Sequence, residues 1–276
     1  MSMEPQPELI APVHDGEPGS APGTLSRLAQ RVLAKTQLFV TPPGTSVVRA
    51  IIGGGPVFFT VANPDDRIQR KHMRGKFYEP VELDLIAAHF TAGGVFCDVG
   101  ANVGNHSLYA LLRLGAARVI PFEPNPAAYE LYLSNMVLNG VLDRIETGTL
   151  GFGLTDRDDA PGMALAPREN NLGATQLVAG EEGLIPVRRG DDLLDGRRID
   201  FLKIDVEGME LEVLRGLDGT IRTRRPPIFL EVDHRNRPGL MGWCAGAGYR
   251  LAVEGRSFKK NQNLLLLPDR GTAANA

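Results

Sequence analysis

Apolar and polar residues alternate along this chain with two different spacings, and segments of the two kinds follow each other in turn. Beyond residue 94, short apolar runs of strand length are separated by segments in which apolar residues recur every three or four positions. Such an alternation is typical of a mostly parallel sheet with helices on both faces. Seven segments are predicted as strands, at residues 95–99, 119–122, 145–151, 201–204, 228–232, 248–253 and 263–267. We therefore predict an α/β fold with a Rossmann-like, doubly wound, mostly parallel sheet of seven strands.

The residues before the sheet predict a small addition rather than a second large domain. Residues 1–23 contain five prolines among acidic and small residues, which is typical of a disordered tail. The next segment, 24–74, is predicted as an N-terminal extension built from one helix and one β-hairpin. The main domain is predicted over 75–270, and 271–276 form a second short tail.

Within the extension, apolar residues at helical spacing between arginines predict an amphipathic helix over 25–39. Two apolar runs at 46–52 and 57–61, separated by a glycine-rich turn, predict the hairpin. Helices are also predicted over 81–90, 107–114 and 209–217. The segment 156–182 is rich in Gly, Pro and Asn and predicts an irregular insertion over the site, where substrate loops are common.

Composition limits the classes of protein to consider. With 276 residues, of which 43% are hydrophobic, the chain can bury one substantial core. A net charge of −3 does not favour a broad electrostatic contact with nucleic acid. The two cysteines, Cys97 and Cys244, have no metal-ligand spacing and are interpreted as small core residues in a reducing compartment. No apolar stretch reaches the roughly 20 residues of a membrane helix, so we expect a cytoplasmic protein.

The most informative segment is the turn after the first predicted strand, where an apolar run ends in Asp98 and two spaced glycines, Gly100 and Gly104. Ligands of doubly wound sheets collect at the carboxyl ends of the strands, where this turn is predicted to lie. Glycines there let backbone amides approach a ligand closely. A dinucleotide-binding turn has the pattern Gly-x-Gly-x-x-Gly, but Asn102 stands at its second glycine, which disfavours a dinucleotide.

A second acid, Glu123, ends the next predicted strand. An acid about 20 residues beyond a glycine turn is placed to accept hydrogen bonds from ribose hydroxyls. The alternative is a solvated acid before a helix that begins near Pro126, since carboxylates are common at helix N-termini.

These motifs together resemble the FkbM-type family of class I S-adenosylmethionine-dependent methyltransferases. Its members carry an Asp-Val-Gly-Ala-Asn-x-Gly turn, a Phe-Glu-Pro-x-Pro strand end and a Lys-Ile-Asp-Val-Glu-Gly-x-Glu block. The chain matches them in this order at residues 98–104, 122–126 and 203–210. Three ordered blocks are a far more specific signal than a single glycine turn. The resemblance covers roughly residues 75–267 and does not cover 1–60.

The resemblance implies S-adenosylmethionine as the cofactor and the last strand as an antiparallel edge. It also implies that a segment at Tyr78 and Glu79 folds over the methyl donor; the alternative is an aromatic residue at a helix start. The residues predicted to bind the cofactor are Tyr78, Glu79, Asp98, Gly100, Asn102, Gly104, Glu123 and Asp205.

Three residues are candidates for catalysis, since methyl transfer to a hydroxyl requires that a proton be removed. Asp205 and Glu207 follow a strand that ends at the same rim as Gly100. The resemblance implies that Asp205 holds the donor's ammonium group, acts as the base or joins a metal site. The alternative is that Asp205 caps a helix and that Glu207 pairs with a basic side chain. A divalent metal is compatible with these acids but is not predicted.

His234, the third candidate, follows another strand at that rim and can accept a proton near neutral pH. A structural histidine is the alternative. His106 directly follows the glycine turn and is predicted to line the cofactor site or to pack on the first helix.

Two further groups of residues suggest how an acceptor is bound. A basic run is either a solvated surface or a site for a phosphate, a nucleotide-linked sugar or an acidic carrier protein; it consists of Arg67, Arg70, Lys71, Arg74 and Lys76. Polar side chains in the insertion suggest a sugar or polyol, and they are Asn170, Asn171 and Thr175.

We predict an enzyme that methylates a hydroxyl oxygen of a small molecule, either a sugar or glycan or another natural product. Oxygen as the acceptor atom is implied by the resemblance alone. The alternatives are an RNA methyltransferase, a non-catalytic protein that binds S-adenosylmethionine, and a nicotinamide-dependent oxidoreductase. Neither a nucleic-acid nor a membrane partner is expected, and the sequence does not indicate an oligomeric state.

Overall fold

The computed structural model describes residues 41–158, 162–166, 176–179 and 185–269. The two predicted tails, the predicted helix over 25–39 and the polar residues Asn170, Asn171 and Thr175 lie outside these ranges.

A six-stranded mixed sheet forms the centre of the described protein. Its strands are β3 (Val95–Val99), β4 (Arg118–Phe122), β9 (Phe201–Ile204), β10 (Ile228–Asp233), β11 (Tyr249–Ser257) and β12 (Asn261–Pro268), in the spatial order β11-β12-β10-β9-β3-β4. Strands β4, β3, β9 and β10 run parallel, and β12 runs antiparallel to both of its neighbours. The α/β, Rossmann-like fold is thus confirmed.

The count of seven strands was wrong for the described residues, because 145–151 do not form a strand. Ile145 makes one isolated bridge with Val119, and the chain then enters a short 3-10 helix over Thr147–Thr149. The Thr149 hydroxyl lies 2.5 Å from the Pro121 carbonyl oxygen and 2.8 Å from that of Glu146, so its single proton is shared between the two acceptors. These contacts take the place of a continuing ladder.

The last strand is antiparallel as expected, but it is not an edge. Strand β12 lies between β10 and β11, and β11 forms the edge instead. Its long antiparallel pairing with both neighbours explains the position, since residues 261–266 pair with β10 while β11 pairs along the other side.

Helices cover both faces of the sheet. They span Pro80–Ala87, Asn105–Leu112, Pro126–Leu138, Gly190–Leu194, Glu210–Gly216, Asp218–Arg224 and Arg237–Ala247. Alternate residues of the strands enter the cores on opposite faces, so that Phe96 and Phe201 pack on one side and Cys97 and Leu202 on the other. Both cysteines are buried free thiols, as expected for small core residues.

The predicted hairpin is present as β1 (Ser46–Ile52) and β2 (Gly55–Val61), paired along their whole length. Strand β2 is joined to helix Pro126–Leu138 by hydrogen bonds, one of them from the Thr60 amide to the Asn135 side chain at 2.6 Å. A short helix, Arg67–Met73, follows and is capped by the Asp66 carboxylate. The hairpin and this helix therefore extend the main domain.

Two smaller sheets lie in the segment before β9. Strand β5 (Gly153–Thr155) pairs in parallel with β8 (Val187–Arg189), and β6 (Met163–Ala166) pairs antiparallel with β7 (Gln176–Ala179). Part of the predicted insertion is thus a two-stranded sheet. Among the residues that the structure describes, no helix has both the length and the apolar character to cross a membrane.

Candidate functional site

One pocket lies at the carboxyl ends of β3, β4, β9 and β10, and seven predicted site residues line it. These are Tyr78, Glu79, Gly100, Asn102, Glu123, Asp205 and Glu207. Residues separated by more than a hundred positions meet there because parallel strands bring their carboxyl ends to one edge of the sheet. Asp98, Gly104 and His234 are not among the lining residues. Their predicted roles at the site remain predictions.

Asp98 lies below the pocket, where it forms a buried ion pair with Lys203. The Lys203 Nζ atom is 3.1 Å from Asp98 Oδ1, and the two side chains are 2% and 0% exposed. The Ser107 hydroxyl donates a hydrogen bond of 2.6 Å to the other Asp98 oxygen. Burial lowers the pKa of Lys203, but the neighbouring carboxylates of Asp98 and Asp205 outweigh it and hold the pKa above its ordinary value. Lys203 is therefore a permanent buried cation.

Neighbouring protein atoms leave no space for a side chain at either glycine of the turn. A Cβ atom on Gly100 would lie 1.8 Å from the Asp205 carbonyl oxygen, and one on Gly104 would lie 2.8 Å from the Tyr132 ring. Both glycines also have positive φ angles. From the sequence we expected these glycines to let a ligand approach the backbone. In the structure, Gly100 instead makes room for the turn at Asp205, and Gly104 makes room for the helix Pro126–Leu138.

Glu123 is buried at the pocket wall, and its carboxylate braces the glycine turn. Its two oxygens accept backbone hydrogen bonds from the amides of Asn102 at 2.7 Å and Asn125 at 2.9 Å. Burial raises the pKa of Glu123 to about 7 in spite of these bonds. Each carboxylate oxygen has a second lone pair, so the side chain can still accept hydrogen bonds from a ligand.

The segment before the first helix of the main domain closes another side of the pocket. The Asn105 side chain accepts a hydrogen bond from the Tyr78 amide at 2.8 Å and donates one to the Tyr78 carbonyl at 3.1 Å. It is also 3.2 Å from a ring nitrogen of His72, which stacks on Phe59. Glu79 follows with a φ of 57°, in the left-handed region that non-glycine residues rarely adopt. The backbone thus turns sharply where Glu79 enters the site.

Besides Glu123, four carboxyl groups converge on the pocket: those of Glu79, Asp205, Glu207 and Glu231. Ligand atoms of Asp205, Glu207 and Glu231 lie within 4.8 Å of one another, close enough to share one metal ion. Burial raises the pKa of Glu79 to about 8 and that of Glu231 to about 9, and the charge of Asp205 adds to both shifts. Burial also raises the pKa of Asp205, although Lys203 opposes the shift. The cluster therefore favours a cationic ligand.

The turn that carries Asp205 and Glu207 is held from below by Glu210. This side chain accepts a hydrogen bond of 2.6 Å from the Gly208 amide and another of 2.6 Å from Asn236 Nδ2. Glu207 has a φ of 51°, again in the left-handed region. The last acid of the Lys-Ile-Asp-Val-Glu-Gly-x-Glu block thus shapes the turn and does not line the main pocket.

His234 lies in a second pocket, which shares Glu207, Glu231 and Asn261 with the first. A ring nitrogen of His234 is 2.9 Å from the Phe258 carbonyl, and its amide donates to the Lys260 carbonyl at 2.8 Å. His234 thus holds the turn between β11 and β12, next to the main pocket.

Among the pocket residues that sequence reasoning did not assign to the site are Lys203, Glu231 and Phe258. A charged residue inside the apolar run of β9 was the available signal for Lys203, and the end of an apolar strand was the signal for Glu231. His106 lines the pocket, as one of its two predicted placements required. Its Nε2 atom has no hydrogen-bond partner among the described residues, and burial lowers its pKa to about 3, so the ring is neutral.

A comparison with family models identifies one family for this chain. The model of the methyltransferase FkbM domain matches residues 98–251, more than half of the chain. Methyltransferase sdnD of Sordaria araneosa is 33% identical over 163 residues, which cover 48% of this chain and 63% of that protein. The hexuronic acid methyltransferase AglP of Haloferax volcanii is 27% identical over 206 residues, 72% of this chain and 78% of that protein.

Among solved structures, a methyltransferase FkbM from Methylobacillus flagellatus aligns with a TM-score of 0.47 and 22% identity. The alignment covers 64% of this chain and 44% of that one. The chain thus spans less than two thirds of the length of sdnD and less than half of this solved protein.

Proposed function

This chain belongs to the FkbM methyltransferase family, and we propose that it transfers a methyl group from S-adenosylmethionine to a hydroxyl oxygen of a sugar, a glycan or another natural product. One observation carries the proposal: Glu123, Asp205 and the glycine turn open into a single pocket at the strand ends. In this proposal Glu123 binds the ribose of the donor and Asp205 binds its ammonium group. Both acids lie beside the tight turn that the glycines make possible.

The residues of the pocket fit the proposed donor chemically. S-adenosylmethionine combines a ribose, an ammonium group and a sulfonium with an aromatic base. Glu123 can accept hydrogen bonds from ribose hydroxyls, Asp205 provides negative charge for the cationic groups, and the Glu79 carboxyl group can accept a hydrogen bond from the ammonium group. Phe122, Phe152 and Leu154 offer an apolar lining for the base. The buried His106 ring lines the same pocket; its Nε2 atom lies 3.7 Å from Glu79 Oε2 and has no hydrogen-bond partner among the described residues, so a ligand can supply one.

When bound, the donor supplies an electrophilic methyl group, and the protein positions the acceptor, excludes water and removes one proton. Asp205 fits the role of base best among the acids. Glu79 and Glu231, with pKa values of about 8 and 9, carry protons at neutral pH. Burial raises the pKa of Asp205 as well, but the Lys203 ammonium, 3.9 Å away, opposes this shift and favours the charged form. Glu207, on the same turn, is a second candidate.

Two observations support a sugar as the acceptor. The carboxyl oxygens of Glu207 and Glu231 can accept hydrogen bonds from several hydroxyl groups at once. A relative of known activity is a hexuronic acid methyltransferase. A phosphate-linked or carrier-linked acceptor is also part of the proposal, because Arg67 of the basic run lines the pocket.

The proposal is tested by incubating the purified chain with S-adenosylmethionine and pools of sugars, sugar phosphates, polyketides and RNA while following release of S-adenosylhomocysteine. We expect release only with a hydroxylated small molecule and a methyl ether in the product. Product from RNA alone would favour the RNA methyltransferase. Binding of S-adenosylmethionine without product from any pool would favour a non-catalytic protein. Binding of NAD(H) in place of S-adenosylmethionine would favour an oxidoreductase.

A further inference from the structure

Lys203 is a buried cation in a strand that is otherwise apolar. All four residues of β9 are buried, and the Lys203 side chain is 2% exposed. Moving an ammonium group into the interior costs several kcal/mol unless the charge is paired and hydrogen-bonded. Asp98 is its partner and also its neighbour in the register of the parallel strands β3 and β9.

The ion pair with Asp98 does not account for the other contacts of Lys203. Its Nζ atom donates a hydrogen bond of 2.7 Å to the Gly100 carbonyl and lies 3.9 Å from Asp205 Oδ2. Gly100 and Asp205 each follow the last residue of their strand, and both line the pocket. One ammonium group thus contacts both turns from below.

These two turns also touch each other directly. The Asp205 amide donates a hydrogen bond of 3.0 Å to the Val99 carbonyl. The Asp205 carbonyl fills the space beside Gly100 in which a side chain would otherwise lie. A shift of either turn therefore moves the other, and Lys203 is the only side chain described in the structure that has polar contacts with both.

We infer that Lys203 is a positioning residue, which holds the glycine turn and the Asp205 carboxylate in the arrangement that binds the methyl donor. The inference rests on the proposed function. Lys203 acts through Gly100 and Asp205. Its ion pair with Asp98 offsets the free-energy cost of burying the ammonium group. A residue that served only as the counter-ion of Asp98 would have no effect on donor binding once both charges were removed.

The test uses that distinction. Lys203→Met alone leaves Asp98 buried without its cation, which is expected to unfold much of the protein. The informative variant is therefore the double substitution Asp98→Asn with Lys203→Met, which removes both charges and keeps an acceptor for the Ser107 hydroxyl. The matched control is Arg118→Met with Glu146→Gln, an ion pair of 2.8 Å whose residues do not line either pocket.

Thermal unfolding and calorimetric titration with S-adenosylmethionine are measured on each protein. We expect the Met double variant to fold and to bind the donor about tenfold more weakly than the wild type, a loss of about 1.4 kcal/mol. A second double variant, Asp98→Asn with Lys203→Gln, keeps an N–H donor near the Gly100 carbonyl and should recover part of the affinity. It also replaces the Met variant if that protein does not fold.

Binding by both double variants at the affinity of the wild type and the control would overturn the inference and leave the proposed function intact. A wild-type protein that does not bind S-adenosylmethionine would overturn both. A tenfold loss in the Met variant, with the control unchanged, supports the role of Lys203.

Discussion

The Asn105 side chain forms a pair of hydrogen bonds with the backbone of Tyr78, one accepted and one donated, at 2.8 and 3.1 Å. The pair fixes the segment that carries Tyr78 and Glu79 against the first residue of the helix after the glycine turn. A side chain from the turn region thus holds the opposite wall of the pocket in place.

Replacing Asn105 with Ala should loosen that wall. We expect weaker donor binding by roughly 1–3 kcal/mol, because two hydrogen bonds are lost and buried backbone groups are left unpaired. Asn139 provides a matched control, since it forms the same kind of pair with the Phe58 backbone, away from the pocket. Asn139→Ala should lower the melting temperature without changing donor affinity in calorimetric titration. Equal effects of the two variants on affinity would show that the Asn105 contact has no special bearing on the site.

Gly100→Ala should be far more damaging than the same change at a glycine with free space. Gly93 also has a positive φ, of 81°, but nothing lies within 4 Å of its Cβ position. Gly93→Ala therefore reports backbone strain alone, of about 1 kcal/mol. Gly100→Ala adds a collision with the Asp205 carbonyl, so we expect a larger fall in melting temperature and loss of donor binding. Similar melting temperatures for the two variants would contradict this account of the turn.

Glu123→Ala should weaken binding of S-adenosylmethionine by roughly 1–3 kcal/mol if hydrogen bonds to the ribose are lost. Part of the loss arises because the Asn102 amide, in the glycine turn, also loses its acceptor. Isothermal titration with adenosine, which lacks the methionine part, separates the two contributions of Glu123. A ribose contact requires that adenosine binding weaken as well. Unchanged affinity for both compounds would place the donor elsewhere.

The buried carboxyl of Glu79 should make stability depend on pH. Its pKa is about 8 in the folded protein, raised first by burial, compared with an ordinary value of 4.5. Between these pH values the folded protein holds a proton that the unfolded chain has released, so the free energy of unfolding falls as pH rises from about 4.5 to about 8.

Glu79→Gln removes this titration. At about pH 5 the variant should have nearly the same melting temperature as the wild type. At about pH 8.5 its melting temperature should be higher, by about 2–4 °C for each kcal/mol of unfolding free energy gained. Calorimetric melting curves at the two pH values measure the difference. A constant difference between variant and wild type at both pH values would show that Glu79 ionises normally.

His234→Ala should affect the turn between β11 and β12 more than the donor. The substitution removes one hydrogen bond to the Phe258 carbonyl, for a stability loss of about 0.5–1.5 kcal/mol. We expect faster hydrogen exchange over residues 258–261 and unchanged donor affinity. A fall in turnover of more than about a hundredfold with unchanged exchange would instead assign His234 to proton transfer, as general acid–base groups contribute at least that much.

The strands, the hairpin and the position of the pocket could be predicted because they depend on local patterns and on one general property of parallel sheets. The ion pair of Asp98 and Lys203 could not, because no local pattern joins residues from two strands so far apart in the chain. The strand predicted over 145–151 was wrong for a related reason. Its apolar residues are compatible with a strand, but the hydroxyl of Thr149 bonds to backbone carbonyls and bends the chain.

The glycines show a different limit. Their spacing correctly marked a tight turn, yet the atoms that exclude a side chain at Gly100 belong to a residue in another motif. The sequence therefore predicted where the backbone bends but not what lies beside the bend.

The interior position of β12 has a consequence for synthesis on the ribosome. This strand is the last of the sheet in chain order, yet β10 and β11 both pair with it. Until it leaves the exit tunnel, the nascent chain exposes edges of β10 and β11 that are paired in the finished protein, and such edges invite pairing with other chains. Co-translational closure of this domain must therefore wait for residues 261–268, so ribosome stalling just before them would leave an aggregation-prone intermediate.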